Sequence, residues 1–182
     1  MNERHCRNLK ADRKLGEYWE RQFCTMMADA GKMFTPMQIG RTESASAWSR
    51  SNGKWNHFTL PDVTIWTAPG EHHELKHKTP TKGGRFGLER YRLDALIAFA
   101  NETQDAVYYT IHDHHGNRES FDNRCEDWVT ADVLWLAKAT HTEYEGESYV
   151  NGTCKKVPIM YWNKQLFRPL FQDGVLATTC GT

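Results

Sequence analysis

Pro61-Asp62-Val63-Thr64-Ile65-Trp66-Thr67-Ala68-Pro69-Gly70-Glu71-His72-His73-Glu74-Leu75-Lys76 reads as two short runs of β-forming residues around a turn. Pro69-Gly70 supplies the turn signal, and the flanking alternation predicts a β-hairpin of Asp62–Trp66 with His72–Lys76. In such a hairpin a turn centred on residue 68 or 69 puts Asp62 across from Glu74 or from Lys76, depending on register. Side chains alternate between faces, so Glu74 and Lys76 project together while Val63, Ile65 and Leu75 point the other way. One face is apolar and suits a core. The other gathers an aspartate, a glutamate and a lysine.

Two carboxylates brought together raise each other's proton affinity unless a cation stands between them. A hard divalent ion such as Mg2+ takes oxygen ligands and removes the conflict. A lysine beside that ion would hold an attacking water and offset charge growing on a phosphate, and phosphodiester hydrolysis needs those parts. For an isolated D…E-x-K pattern, solvated ion pairs on an exposed face are the plainer account. The elements around the hairpin therefore matter.

Upstream, Leu15, Trp19, Phe23, Met26, Met27 and Ala30 recur at steps of three and four, the stripe of an amphipathic helix over residues 14–30 that Gly31 ends. Thr35 to Asn56 has no period and is expected to be a long irregular segment with a short strand near Met37–Gly40. Downstream, the Lys-, Thr-, Gly- and Pro-rich loop from His77 to Gly87 is expected to be mobile. Leu88 to Asn101 then carries a helical stripe of Leu88, Tyr91, Ala95, Leu96 and Phe99, and Ala106 to Ile111 is strongly β-prone. Thr130 is expected to cap a helix running to Lys138, Val157 to Trp162 to form a strand, and Lys164 to Phe171 a short last helix. The order helix, hairpin, helix, strand predicts an α/β (α+β) architecture with a small mixed sheet and flanking helices. At 182 residues with no internal repeat, the chain is expected to be a single domain, 1–182.

Pro61-Asp62 followed by Glu74-Leu75-Lys76 in a hairpin resembles the PD-(D/E)XK nuclease superfamily. Lys14-Leu15-Gly16-Glu17-Tyr18-Trp19-Glu20-Arg21 resembles the Gly-x-x-x-Glu-Arg opening of that superfamily's first helix, above all in its Holliday-junction resolvase branch. Leu93 to Ala100 and the following strand resemble the resolvase segment after the hairpin. The resemblance covers residues 14–112, read as the catalytic core, with 113–182 as a C-terminal extension packed on it.

The resemblance implies a restriction-endonuclease-like core and a Mg2+-dependent endodeoxyribonuclease, with Mn2+ as substitute metal. Asp62 and Glu74 would hold the metal with the Leu75 carbonyl, Glu20 would complete the site, and Lys76 would orient the nucleophilic water. The resolvase branch implies a structure-selective enzyme and a homodimer that places two sites on two strands. A restriction-type or phage DNA-processing nuclease, and a catalytically silent nucleic-acid- or protein-binding module of this fold, are the alternatives. Where resolvases usually carry Gln, the aligned residue here is Arg92. It shares a stripe with Leu88, Ala95, Leu96 and Phe99, so its charge either faces the active site or a phosphate, or snorkels to solvent.

The formal net charge is zero, from 23 basic and 23 acidic residues, which by itself does not nominate a nucleic-acid binder. The sum hides opposed regions. From Lys76 to Arg92 there are six bases against Glu89 alone, whereas Asp94 to Glu147 holds twelve acids against three bases. The basic segment abuts the hairpin, so Lys78, Lys82, Arg85 and Arg92 are expected to contact DNA phosphates, with Arg41 adding to them and the acidic stretch lying away.

Other chemistries find less support. His112-Asp113-His114-His115 follows a strand and precedes Gly116-Asn117, so it reads as a polar turn, with metal binding by i, i+2 geometry as the alternative. His72 shares the face of Glu74 and is expected at the rim of the site. Gly83-Gly84 lacks the Lys-Ser/Thr of a phosphate-binding P-loop, no Ser-His-Asp or Cys-His arrangement is supported, and no organic cofactor is expected. The five cysteines are scattered without a C-x-x-C pair, which suits free thiols in a reducing cytosol. The first residues are charged and the longest apolar run is Ala95 to Ala100, so no signal peptide, anchor or membrane span is expected and the protein is read as cytoplasmic.

Overall fold

The computed structural model describes residues 9–37, 46–51, 54–67, 70–115, 124–150, 153–172 and 175–177. Helix α1 (Leu9–Asp29) buries Trp19, Phe23, Met26 and Met27, as their spacing requires, whereas Ala30 lies past its end and is exposed. Gly31, at φ +68°, closes the helix: its N–H donates to the Ala28 carbonyl and that of Lys32 to the Met27 carbonyl, the paired bonds of a left-handed C-terminal cap.

The chain continues through β1 (Phe34–Pro36), β2 (Ser46–Ser51), β3 (Lys54–Thr59), β4 (Val63–Ile65), β5 (Glu71–Lys78) and β6 (Arg85–Glu89) to α2 (Arg90–Thr103). After it come β7 (Ala106–Asp113), β8 (Trp128–Asp132), α3 (Val133–Lys138), β9 (Thr142–Val150), β10 (Thr153–Asn163) and the short β11 (Arg168–Pro169), β12 (Phe171–Gln172) and β13 (Val175–Leu176). Six strands form the central sheet in the order β1-β4-β5-β7-β8-β11, and β6-β10-β9 form a second sheet. β5 and β7 pair in parallel and the other central pairs are antiparallel, so the sheet is mixed. The expected α/β class with a mixed sheet and flanking helices is what the chain forms.

Strand alternation divides the interior in two. On one face, Val63, Ile65 and Leu75 meet Trp19, Phe23 and Met27 of α1, together with Trp128 and Leu170. On the other, Val107, Tyr109 and Ile111 meet Leu93, Leu96 and Phe99 of α2, and Leu88, Met160 and Trp162 of the second sheet. Burying each such side chain contributes on the order of 2 kcal/mol, so α1 and α2 are held as fixed walls on either side of β5. No helix among the described residues is long and apolar enough to cross a membrane.

Several expectations are corrected. The irregular segment contains the β2/β3 hairpin, whose pairs run from Ser46↔Thr59 to Ser51↔Lys54 in a stretch of mixed polar composition. Of the short strand foreseen near Met37–Gly40, residues 38–40 lie outside the described residues; a three-residue strand is present just before it, at Phe34–Pro36. The loop from His77 to Gly87 is short, because β5 continues to Lys78 and β6 begins at Arg85 to pair with β10. Leu88 belongs to that strand, and Tyr91 is 48% exposed while Leu93 takes the buried position on α2.

Thr130 sits buried in β8; Asp132 caps α3 by accepting the Trp135 N–H at 2.8 Å, a role a carboxylate fills as well as a hydroxyl. Residues 164–166 form a single 3-10 turn followed by extended chain, so the last helix is absent. Cys24 and Cys125 are free, but Cys154 is disulfide-bonded: separation along the chain does not report distance across the fold.

Candidate active site

The β4/β5 register pairs Val63 with His73 and Ile65 with Glu71, which continues to Asp62 across from Glu74. Both carboxylates are buried, Glu74 completely. Asp62 accepts the backbone N–H of Leu75 through Oδ2 at 2.7 Å. The Lys76 ammonium bends back over its own strand and donates to Glu74 Oε1 at 2.5 Å and to the Leu75 carbonyl at 3.0 Å, with Asp62 Oδ2 3.9 Å away. From α2, Arg92 reaches the same carboxylate: its Nε donates to Glu74 Oε1 at 2.9 Å, its Nη2 to Glu74 Oε2, and Nη2 also to the Leu60 carbonyl at 3.3 Å.

These contacts fix the charges. Burial, joined by the neighbouring Glu74, pushes the Asp62 carboxyl up to about 7, against the pull of Lys76 and Arg92. Burial acts on Glu74 in the same sense, but Lys76 and Arg92 outweigh it and hold that carboxyl down to about 2. Burial would strip the proton from Lys76, yet Glu74 and Asp62 more than offset it and keep the ammonium charged. Glu20, on α1, has its carboxyl raised by burial; Lys76 draws it down and Glu74 pushes it up, so Glu20 lies within the field of the same cluster. Asp62, Glu74 and Lys76 thus lie together, and Glu20 feels their charges from α1.

The phosphate contacts foreseen from the charge run are largely occupied within the protein. Lys78 donates to the Gly87 carbonyl and lies over the Tyr109 ring. Arg85 donates to Thr142 Oγ1 at 3.2 Å, and Arg92 is taken by Glu74. Lys82 is exposed in the turn between β5 and β6. Arg41 lies outside the described residues. The acidic stretch does not stand apart, because β9 joins β6 through β10 and Glu143 pairs with Arg90 at 2.8 Å.

His72 turns away from the rim, with Nδ1 against Thr64 Oγ1 at 2.9 Å and Nε2 against Asp105 at 3.1 Å. Of the His112–His115 run, His115 alone lies exposed in a turn, while His112, Asp113 and His114 are buried. β7 carries His112 inward, where it stacks on Trp19 at 3.6 Å between ring centroids, with its Nδ1 3.0 Å from His77 Nδ1.

The oxygens that converge on the Lys76 ammonium are a glutamate oxygen, a backbone carbonyl and, further off, an aspartate oxygen. Lys76 thus stands in for a cation, and an all-oxygen set of this kind suits a hard divalent ion once the lysine withdraws. Among the described residues no group of three or more His, Cys, Asp or Glu side chains is gathered as a ready metal site. The set is therefore two carboxylates and a carbonyl. Leu60 is the participant that sequence reasoning missed, because a backbone carbonyl has no signature in residue type. The clamp of Arg92 on Glu74 had a partial signal, a charge on an otherwise apolar stripe.

No protein-family model and no curated protein matches the chain. Among solved structures it is similar to Hjc, a Holliday junction resolvase from the archaeal hyperthermophile Archaeoglobus fulgidus, at 13% identity and a TM-score of 0.45, covering 84% of this chain and 91% of that one.

Proposed function

We propose that the protein is a Mg2+-dependent endodeoxyribonuclease of the PD-(D/E)XK type that hydrolyses DNA phosphodiester bonds, structure-selective in the manner of Holliday-junction resolvases and active as a homodimer. The observation that carries this reading is the position of the Lys76 ammonium, bonded to Glu74 and the Leu75 carbonyl and within 4 Å of Asp62. A positive charge is already needed at that point to hold two buried carboxylates together.

Asp62, Glu74 and the Leu75 carbonyl would hold the cation, with Glu20 beside them, and Mn2+ would serve in its place. When bound, the ion supplies a Lewis acid for the phosphoryl oxygen and lowers the pKa of a bound water. Asp62 contributes an oxygen whose direction is set by the Leu75 N–H, and Glu74 one whose direction is set by Arg92. Lys76, half-buried and flexible, is charged and free to turn from the carboxylates to the attacking water or to the phosphate. Lys82 and, in the segment beyond the described residues, Arg41 would contact the DNA backbone.

A panel of four-way junction, flap, linear duplex and single-stranded substrates, each with Mg2+ and with EDTA, tests the reading. Cleavage of the junction above the rest supports it, and preference for linear duplex would point to a restriction-type or DNA-processing enzyme. A catalytically silent module would cut none of them and show no thermal shift with Mg2+ or Mn2+.

A further inference from the structure

We propose that Arg92 tunes the affinity of this site for its divalent cation: by clamping both oxygens of Glu74 it fixes a positive charge beside the cation's place and weakens binding there. The inference rests on the metal-dependent reading above and deepens it.

The two cations on Glu74 are not equivalent. Lys76 has a side chain about a third exposed, on a flexible stem, and can withdraw toward solvent. Arg92 is 11% exposed, meets the carboxylate with two nitrogens, and is tied a second time to the Leu60 carbonyl. Its guanidinium cannot lose a proton, and pulling it out would take two charged hydrogen bonds from Glu74 and one from the Leu60 carbonyl.

Each carboxylate oxygen offers two acceptor sites. Oε1 now receives Arg92 Nε and Lys76 Nζ, and Oε2 receives Arg92 Nη2. Once Lys76 leaves, Oε1 regains a site for a cation while Arg92 stays in place. That cation would then share the charge of Glu74 with a fixed guanidinium, so the cluster of Asp62, Glu74 and Arg92 offers it one net negative charge instead of two. In a buried setting this difference is worth about tenfold or more in affinity. The aligned glutamine of the resolvase pattern would donate to Glu74 without that charge.

Mn2+ binding to the full-length protein, followed by the EPR signal of free Mn2+, separates this role from simple positioning. Arg92→Gln is expected to bind Mn2+ about tenfold more tightly than the parent, and Arg92→Lys, which keeps the charge, to stay within about threefold of it. Weaker binding by both variants would overturn the proposal and leave Arg92 as a residue that only orients Glu74. Equal binding by the parent and Arg92→Gln would overturn it as well. Circular dichroism checks that each variant is folded, and if Arg92→Gln is not, Arg92→Lys decides alone: parent-like affinity supports the charge effect, and loss by more than tenfold overturns it. No Mn2+ binding by any of the proteins would instead sink the metal-dependent reading, and this inference with it.

Discussion

Asp62 accepts the backbone N–H of Leu75 at 2.7 Å, so the carboxylate that faces the site also fastens the two strands that build it. The two roles separate by mutation. Asp62→Asn keeps an oxygen for Leu75 and is expected to fold like the parent. Asp62→Ala leaves a buried N–H without a partner and is expected to lose about 1–3 kcal/mol in urea unfolding. Both are expected to cut DNA at least about a hundredfold more slowly. An Asp62→Asn protein that cleaves at the parental rate would remove Asp62 from the chemistry.

Lys76 stands where a divalent ion would be held, and binding therefore requires it to move. Mg2+ is expected to raise the melting temperature of the parent and of Lys76→Met, because binding to the native state stabilises it by mass action. Asp62→Asn is expected to show little or no shift. Lys76→Met is expected to bind the ion yet lose about 10²–10³ in cleavage rate, since the charge that steadies the transition state is gone. Chelation by EDTA is expected to abolish cleavage by the parent and to reverse the thermal shift.

How much of this was legible follows from what periodicity can and cannot carry. The alternation across Asp62–Lys76 placed Val63, Ile65 and Leu75 on the core face and Glu74 with Lys76 on the other, because the period of a strand is a local property. The stripe of α1 was equally legible, and with it the side of the helix that Trp19 and Phe23 bury. The β2/β3 hairpin was not, since its two segments carry no apolar alternation in sequence. The fate of the basic run was also illegible. Lys78, Arg85 and Arg90 find Gly87, Thr142 and Glu143, and the last two lie more than fifty residues away along the chain, brought close only by the β6-β10-β9 sheet. A count of charges could not foresee that pairing.

That pairing changes what DNA binding should look like. Lys82 is exposed between β5 and β6, so Lys82→Ala is expected to lower the slope of log affinity against log salt by about one. Lys78→Ala is expected to leave the slope unchanged and to lower the unfolding temperature, because its ammonium serves the Gly87 carbonyl. Fluorescence anisotropy with a labelled junction at several salt concentrations measures both. A drop of one with Lys78→Ala would return that lysine to the phosphate contacts.

His112 gives the fold a defined acid limit. Its ring is buried between Trp19 and Trp128 and faces His77 across 3.0 Å. Burial depresses its pKa to about 4, with His114, His115 and Arg124 acting in the same sense and Asp127 opposing them. In the unfolded chain the same imidazole takes its proton near about pH 6.5. Between those values the unfolded state binds a proton that the native state refuses, so the contribution of His112 is complete above about pH 6.5 and is lost as the pH falls toward 4. Two imidazoles facing through Nδ1 share one proton, and protonating His112 would set two N–H donors against each other in the core. His112→Gln removes the titrating group. Thermal melts at pH 7.5 and pH 4.5 are therefore expected to show a smaller loss of melting temperature for His112→Gln than for the parent, whatever the variant costs at neutral pH. An equal loss in both proteins would mean that the acid limit is set elsewhere.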